Sequence, residues 1–209
     1  MRPDNKIIKL ITFCLSLSLF LLVFPLFSKY FRFTIHSQSP TPNPGTQYYL
    51  DCTAGNDSNS GLSTLSAWKT LSKVNSFPFI PGESILLKRG CTWSGDLANA
   101  QTLTLTRSGT GTSPIVIGAY GDILQPLPVI SNSKEGAYDV DISASFVTIE
   151  NLSVDASPPS IEAGCNNNPK GHIYGFVLNT GASYNVIRNV KAQHLYAGVY
   201  IRGGAHHNW

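Results

Sequence analysis

Gly175-Phe-Val-Leu-Asn-Thr-Gly-Ala182 and Gly198-Val-Tyr-Ile-Arg-Gly-Gly-Ala205 carry one pattern, 23 residues apart. A longer match sets Ala137 to Asn151 against Gly175 to Asn189, at an offset of 38 residues. A fixed period in the twenties, made of short strands and turns, marks a solenoid of stacked coils. The two offsets differ by 15 residues, the length of the Pro-, Gly- and Asn-rich run from Ser157 to Gly171. That composition reads as a loop sprouted by one coil.

Each coil reads as strand, turn, strand, two-residue turn, strand. Phe146–Ile149 and Tyr184–Ile187 are equivalent strands, and Leu152–Val154 and Val190–Ala192 are the next pair. Asn151 and Asn189 fall at the same turn in successive coils. Asn tolerates the left-handed backbone such a bend needs, so a stacked asparagine ladder is predicted. In Tyr138-Asp-Val-Asp-Ile142 every second residue is apolar, with Phe176, Leu178, Val199 and Ile201 at the matching inward positions. Period-two alternation means a strand with one face buried, and stacking supplies the core that a lone coil lacks.

The opening Tyr48-Tyr-Leu-Asp-Cys-Thr-Ala-Gly-Asn-Asp-Ser-Asn-Ser-Gly61 resembles the domain start of many exported pectate-lyase-like proteins, the right-handed parallel β-helix superfamily. Ala67–Asn75, Pro81–Gly90 and Pro114–Gly121 add to this likeness, which runs over residues 48–209. The resemblance implies an all-β, right-handed parallel β-helix. It implies engagement of extracellular polysaccharide, with lyase or hydrolase chemistry, and admits Ca²⁺ as a cofactor. The superfamily also holds non-catalytic members, so a surface adhesin or envelope scaffold is the alternative. Trp68, Leu71 and Val74 recur at helical spacing, which predicts a short N-terminal helix capping the first coil. The chain stops at His206-His-Asn-Trp209, where the next coil's second strand should begin, so a fragment of a longer protein is expected.

Three regions are expected: an N-terminal segment over 1–33, a Pro-rich linker over 34–47, and the β-helix over 48–209. Leu10 to Phe27 is an uncharged, mostly apolar run long enough to span a bilayer as a transmembrane helix. Lys6 and Lys9 precede it, so the N-terminus is expected to stay cytoplasmic, although Lys29 and Arg32 follow it. An uncleaved signal anchor is expected, since Leu26-Phe27-Ser28 makes a poor cleavage site for a signal peptide. The domain would then lie outside the cell, held at the membrane or secreted, as a monomer. Without Arg2, Lys6, Lys9 and Asp4, the totals of 15 cations and 12 anions become 12 and 11. A near-neutral domain makes no electrostatic case for nucleic acid. Export permits a disulfide. Cys52 and Cys91 both flank early strands and are the preferred pair, with Cys165 alone in its loop. Other pairings and a fully reduced state stay open.

The outward positions of the first strand stack by this register into two columns. One holds Asp141, Asn179 and Arg202; the other holds Asp139, Val177 and Tyr200. In pectate-lyase-like proteins this sheet floors the saccharide cleft, which implies substrate-binding roles for Asp139, Asp141, Asn179, Tyr200 and Arg202. Asp can act as acid or base or hold Ca²⁺, Arg can pair with a uronate, and Tyr can stack on a sugar ring. An ordinary solvated sheet face accounts for the same residues. Polygalacturonase-like enzymes carry Asn-Thr-Asp here, whereas Asn179-Thr180 precedes Gly181, so catalytic residues stay unassigned. Asp57-Ser-Asn-Ser-Gly61 reads as an Asx-rich turn, since its glycine falls early for a calcium loop. His206 and His207 are adjacent on an expected strand and would point to opposite faces, so no metal site is assigned. Trp93 and Tyr120 are expected to pack against coil edges.

Overall fold

A computed structural model describes residues 45–95, 102–133, 136–156 and 173–209. Thirteen strands in chain order build three parallel sheets. Sheet I contains β4 (Leu103–Leu105), β7 (Tyr138–Ile142), β10 (Tyr174–Leu178) and β13 (Ala197–Ile201). Sheet II contains β1 (Gln47–Leu50), β2 (Ser84–Lys88), β5 (Ile115–Tyr120), β8 (Val147–Glu150) and β11 (Val186–Arg188). Sheet III contains β3 (Thr92–Ser94), β6 (Val129–Ser131), β9 (Ser153–Asp155) and β12 (Lys191–Gln193). From β2 onward the chain visits the sheets in rotation, and every strand pairing is parallel. This is an all-β parallel solenoid.

Short apolar strands make the interior. Ile85, Leu87, Ile117, Ile149, Ile130, Val154, Leu103, Val140 and Ile142 are all buried and share one core cluster. The coil corners use left-handed backbone. Asn151 and Asn189 sit at φ 57° and 49°, and the Asn189 side-chain amide donates to Asn151 Oδ1. The predicted ladder is therefore present. A second ladder escaped the sequence reading. Asn185 Oδ1 accepts from Val147 N at 2.9 Å, and Asn208 Oδ1 accepts from Asn185 N at 2.9 Å, one coil on. Asn185 and Asn208 share the 23-residue period, which was the available signal.

The predicted strands shift slightly. Phe146 and Tyr184 lie in the turn, at φ 55° and 56°, and their rings stack at 5.0 Å. The register in sheet I also differs from expectation. Tyr174 pairs with Tyr138, an offset of 36 residues, while Val186 pairs with Thr148, an offset of 38. Thr180 and Gly181 supply the difference as the middle of a turn that Ala182 N closes onto Asn179 O at 2.9 Å. Gly181 takes φ 87° there, and Gly204 takes φ 89° in the matching turn, conformations that favour glycine.

The cap helix is α1 (Leu71–Ser76). Thr70 is its N-cap and accepts from Lys73 N at 3.2 Å. Asp57 anchors the approach, accepting from Lys69 N, Thr70 N and Thr70 Oγ1 at 2.8, 3.0 and 2.7 Å. Pro78 ends the helix by holding Phe77 extended. Leu71 and Val74 point into the core. Trp68, just before the helix, stacks on Tyr48 at 4.9 Å beside Phe77 and Phe79. Asn75 Nδ2 donates to Thr102 O, and Asn75 Oδ1 accepts from Thr104 N, so this side chain satisfies the outer edge of β4.

Cys52 and Cys91 are joined, with Cα atoms 5.7 Å apart. The apolar run expected to cross a membrane, most of the expected linker, and Cys165 lie outside the described residues. Among the described residues, no helix is long and apolar enough to cross a membrane.

Candidate functional site

The outward face of sheet I gathers polar and aromatic side chains from three successive coils. Asp141 pairs in register with Val177, and Val177 with Tyr200. Asn179 lies against Ser143, and Arg202 against Asn179, because Asn179 N bonds Ile142 O and Arg202 N bonds Leu178 O. The columns are thus Asp141, Val177, Tyr200 and Ser143, Asn179, Arg202. The sequence alignment had placed Asn179 above Asp141 and Val177 above Asp139; the Thr180–Gly181 insertion moves both by two residues.

Asp139 does not belong to this face. It is 0% exposed, and Asn132, itself buried, donates to Asp139 Oδ1 at 2.8 Å. Its counterpart one coil on is Gly175, where a Cβ would lie 2.9 Å from both Val154 Cγ2 and Leu195 Cδ1 in the core. Alternation therefore breaks at the corner between sheets III and I. Tyr138 turns outward and Asp139 turns inward. Burial pushes the Asp139 carboxyl up to about 8; the Asn132 amide opposes this and the nearby Asp155 carboxylate adds to it. Its Oδ2 has no hydrogen-bond partner among the described residues. Asp155 in turn meets His194 Nδ1 at 2.8 Å across the coils.

Tyr138 is the residue the sequence reading missed. Alternation assigned it inward, yet its hydroxyl accepts from Arg202 Nη2 and the guanidinium sits 5.2 Å from its ring centroid. This bridge spans two coil steps, and by register it crosses the face at Val177, which is 0% exposed. Tyr200 packs on Tyr174 with centroids 4.9 Å apart, and Tyr174 also meets Tyr138 and Tyr196. The Asn179 amide donates to Asp141 Oδ1 and, at 2.9 Å, to Ser143 Oγ. The arrangement is a patch with aromatic rings at one side, a tethered guanidinium, and one carboxylate.

This patch does not fit Ca²⁺. That ion takes six to eight oxygen ligands, usually with several carboxylates. Asp141 is the one carboxylate on this face among the described residues, because Asp139 is interior. Elsewhere, Asp51, Cys52 and Cys91 group closely enough for a metal, but the cysteines are bonded to each other. Asp51 is buried, which opposes ionisation. The Lys88 ammonium at 2.7 Å and the N–H groups of Ala54 and Thr53 outweigh that and hold its carboxyl below the usual range. His206 and His207 do not diverge as expected of strand neighbours. His207 has φ 52°, which brings the two Nδ1 atoms to 2.7 Å. Trp93 and Tyr120 pack as expected: Trp93 is buried and donates to Lys69 O at 2.9 Å, and Tyr120 meets Tyr49 edge-on at 5.1 Å.

A parallel solenoid with such a face defines a class, the pectate-lyase-like β-helix fold, and comparison with solved structures gives the same fold. GH136 lacto-N-biosidase from Eubacterium ramulus aligns with TM-score 0.56 and 24% identity, over 75% of this chain and 27% of that one. A rhamnogalacturonan lyase aligns with TM-score 0.54 and 18% identity, over 71% and 36% of the two chains. In sequence, the lacto-N-biosidase of Bifidobacterium longum subsp. longum is 36% identical over 100 residues. Those residues are 46% of this chain and 6% of that protein, so this chain matches a small part of its relative. No protein-family model matches the chain.

Proposed function

We propose that this chain supplies coils of an exported, carbohydrate-active β-solenoid, and that it meets polysaccharide on the outward face of sheet I. The observation that carries this is the convergence of Tyr138, Asp141, Asn179, Tyr200 and Arg202 on one patch. Aromatic rings beside fixed hydrogen-bonding groups suit a sugar, which offers an apolar ring face and a rim of hydroxyls. The sequence similarity to a lacto-N-biosidase supports the same reading and favours hydrolysis over elimination. Glycoside hydrolysis by the usual route uses two carboxylates flanking the bond. Among the described residues this face offers Asp141 alone, so the role assigned to these coils is substrate binding. Right-handed winding follows the general handedness of parallel crossovers. The apolar Leu10–Phe27 run supports an extracellular domain tethered to the membrane, and the near-neutral charge gives no electrostatic support for binding nucleic acid.

The test mixes the purified chain with neutral and acidic polysaccharides and follows binding, reducing ends and unsaturated-product absorbance together. Binding abolished by Tyr200→Ala and Asp141→Ala, with folding intact, supports the reading. Unsaturated product would make it a lyase. Binding unaffected by either substitution would move the site off sheet I, and no binding at all would defeat the proposal.

A further inference from the structure

We infer that the sheet I face selects neutral, hydroxyl-donating saccharide over uronate; this rests on the binding role proposed above. The argument starts from which groups the face has left to offer. A uronate carboxylate needs donors, best of all an unengaged guanidinium in bidentate geometry. Arg202 is the one cation on this face among the described residues, and it is committed to Tyr138 by a hydrogen bond and by its place over the ring. Redirecting it to a carboxylate would break both contacts.

The remaining polar atoms are mainly acceptors. Asp141 keeps a carboxylate oxygen beyond the one that takes the Asn179 amide. Asn179 Oδ1 is a buried acceptor with no donor among the described residues. That atom is covered, so the acceptor this face presents to a ligand is the Asp141 carboxylate, held in place by the Asn179 amide. Sugar hydroxyls bring donors; a carboxylate brings more acceptors and a like charge beside Asp141. Tyr200 stands 42% exposed in the same column as Asp141, so a ring can lie on it while its hydroxyls reach the acid. The domain beyond the N-terminal segment is close to neutral, so no broad positive field compensates for the missing cation.

The experiment is calorimetric or NMR titration of the full chain with matched tetrasaccharides, one set of neutral hexoses and one of galacturonate or glucuronate, at low and high salt. The expected result is binding of the neutral set, insensitive to salt. Asp141→Asn and Asn179→Ala should weaken it at least tenfold, and Arg202→Lys should weaken it less. Melting temperatures of the variants separate lost contacts from lost folding. Where Asn179→Ala unfolds, Asn179→Leu serves instead, since it keeps the approximate shape and withdraws the amide without setting a second carboxylate against Asp141. Salt-sensitive binding of the uronate set that Arg202→Lys abolishes would overturn the inference while leaving the binding role intact. Binding of neither set would overturn both.

Discussion

The two ends of the solenoid use the same interior positions under opposite conditions. At the N-terminal end the described outer edges of β1 and β4 are covered, and β3 is tied to the cap by a side chain. Trp68 bridges to Leu50 beside β1, Asn75 satisfies β4, and Trp93 of β3 donates to Lys69 O. Three coils on, Phe176 and Leu178 are 0% and 1% exposed, yet their register partners Val199 and Ile201 are 48% and 54% exposed. Residue type does not explain this, since all four are apolar and face inward. The difference is the presence of a neighbour on the far side. A coil does not bury its own inward face; the next coil or the cap does that, which is why solenoid stability is a sum over interfaces.

The largest effects should come from the closed end and the interior. Trp68→Ala or Phe176→Ala should each cost about 3–5 kcal/mol, from lost burial and the cavity left behind. Denaturant unfolding measures this, and a cost below about 1 kcal/mol would show that the cap and the stacked core are not what hold the coils. Next, the Cys52–Cys91 link closes a separation of 39 residues at the capped end. Replacing both cysteines by serine should cost about 2–4 kcal/mol, read from the same melts with and without reductant.

A pH-dependent effect concerns Asp139, buried in β7 two coils from the open β13. Its carboxyl sits at about 8 in the folded chain against an ordinary value of 3.8. The folded state therefore holds a proton that the unfolded state releases. Stability from this group is full below about pH 4 and is lost as the pH rises through about 8. Asp139→Asn should remove that slope, raising stability by several kcal/mol, up to about 5, at pH 8 and leaving it nearly unchanged near pH 4. Melting temperature against pH checks it; parallel curves for the two proteins would mean the carboxyl is ionised and paired. The smallest effect should be at the open coil. Val199→Ala should cost less than about 1 kcal/mol, because half of the side chain already meets water. A cost matching that of Phe176→Ala would show that something covers β13 in solution.

Much of this architecture could be read from residues 137–205. The 23-residue period, the in-register Asn151 and Asn189, and the helical spacing of Trp68, Leu71 and Val74 each express a local rule: one turn, one residue preference, one periodicity. Cys52 and Cys91 were nominated because they flank early strands, and they lie within bonding distance. The binding face was legible in part. Asp141, Asn179, Tyr200 and Arg202 do point outward, but their neighbours were misassigned.

Alternation and repeat alignment are one-dimensional statements, and they hold until the chain turns a corner. At Tyr138–Asp139 the strand has not yet left the corner between sheets III and I, so Tyr138 goes out and Asp139 goes in. At Thr180–Gly181 two extra residues fit into a glycine-dependent turn, and the register slips without any change in the pattern on either side. By itself, the sequence determined that this protein is a stack of β-coils with a cap. Which side chains meet on its outer face was decided only in three dimensions, because neighbours in a solenoid are set by hydrogen-bond register between coils, and a two-residue turn resets that register.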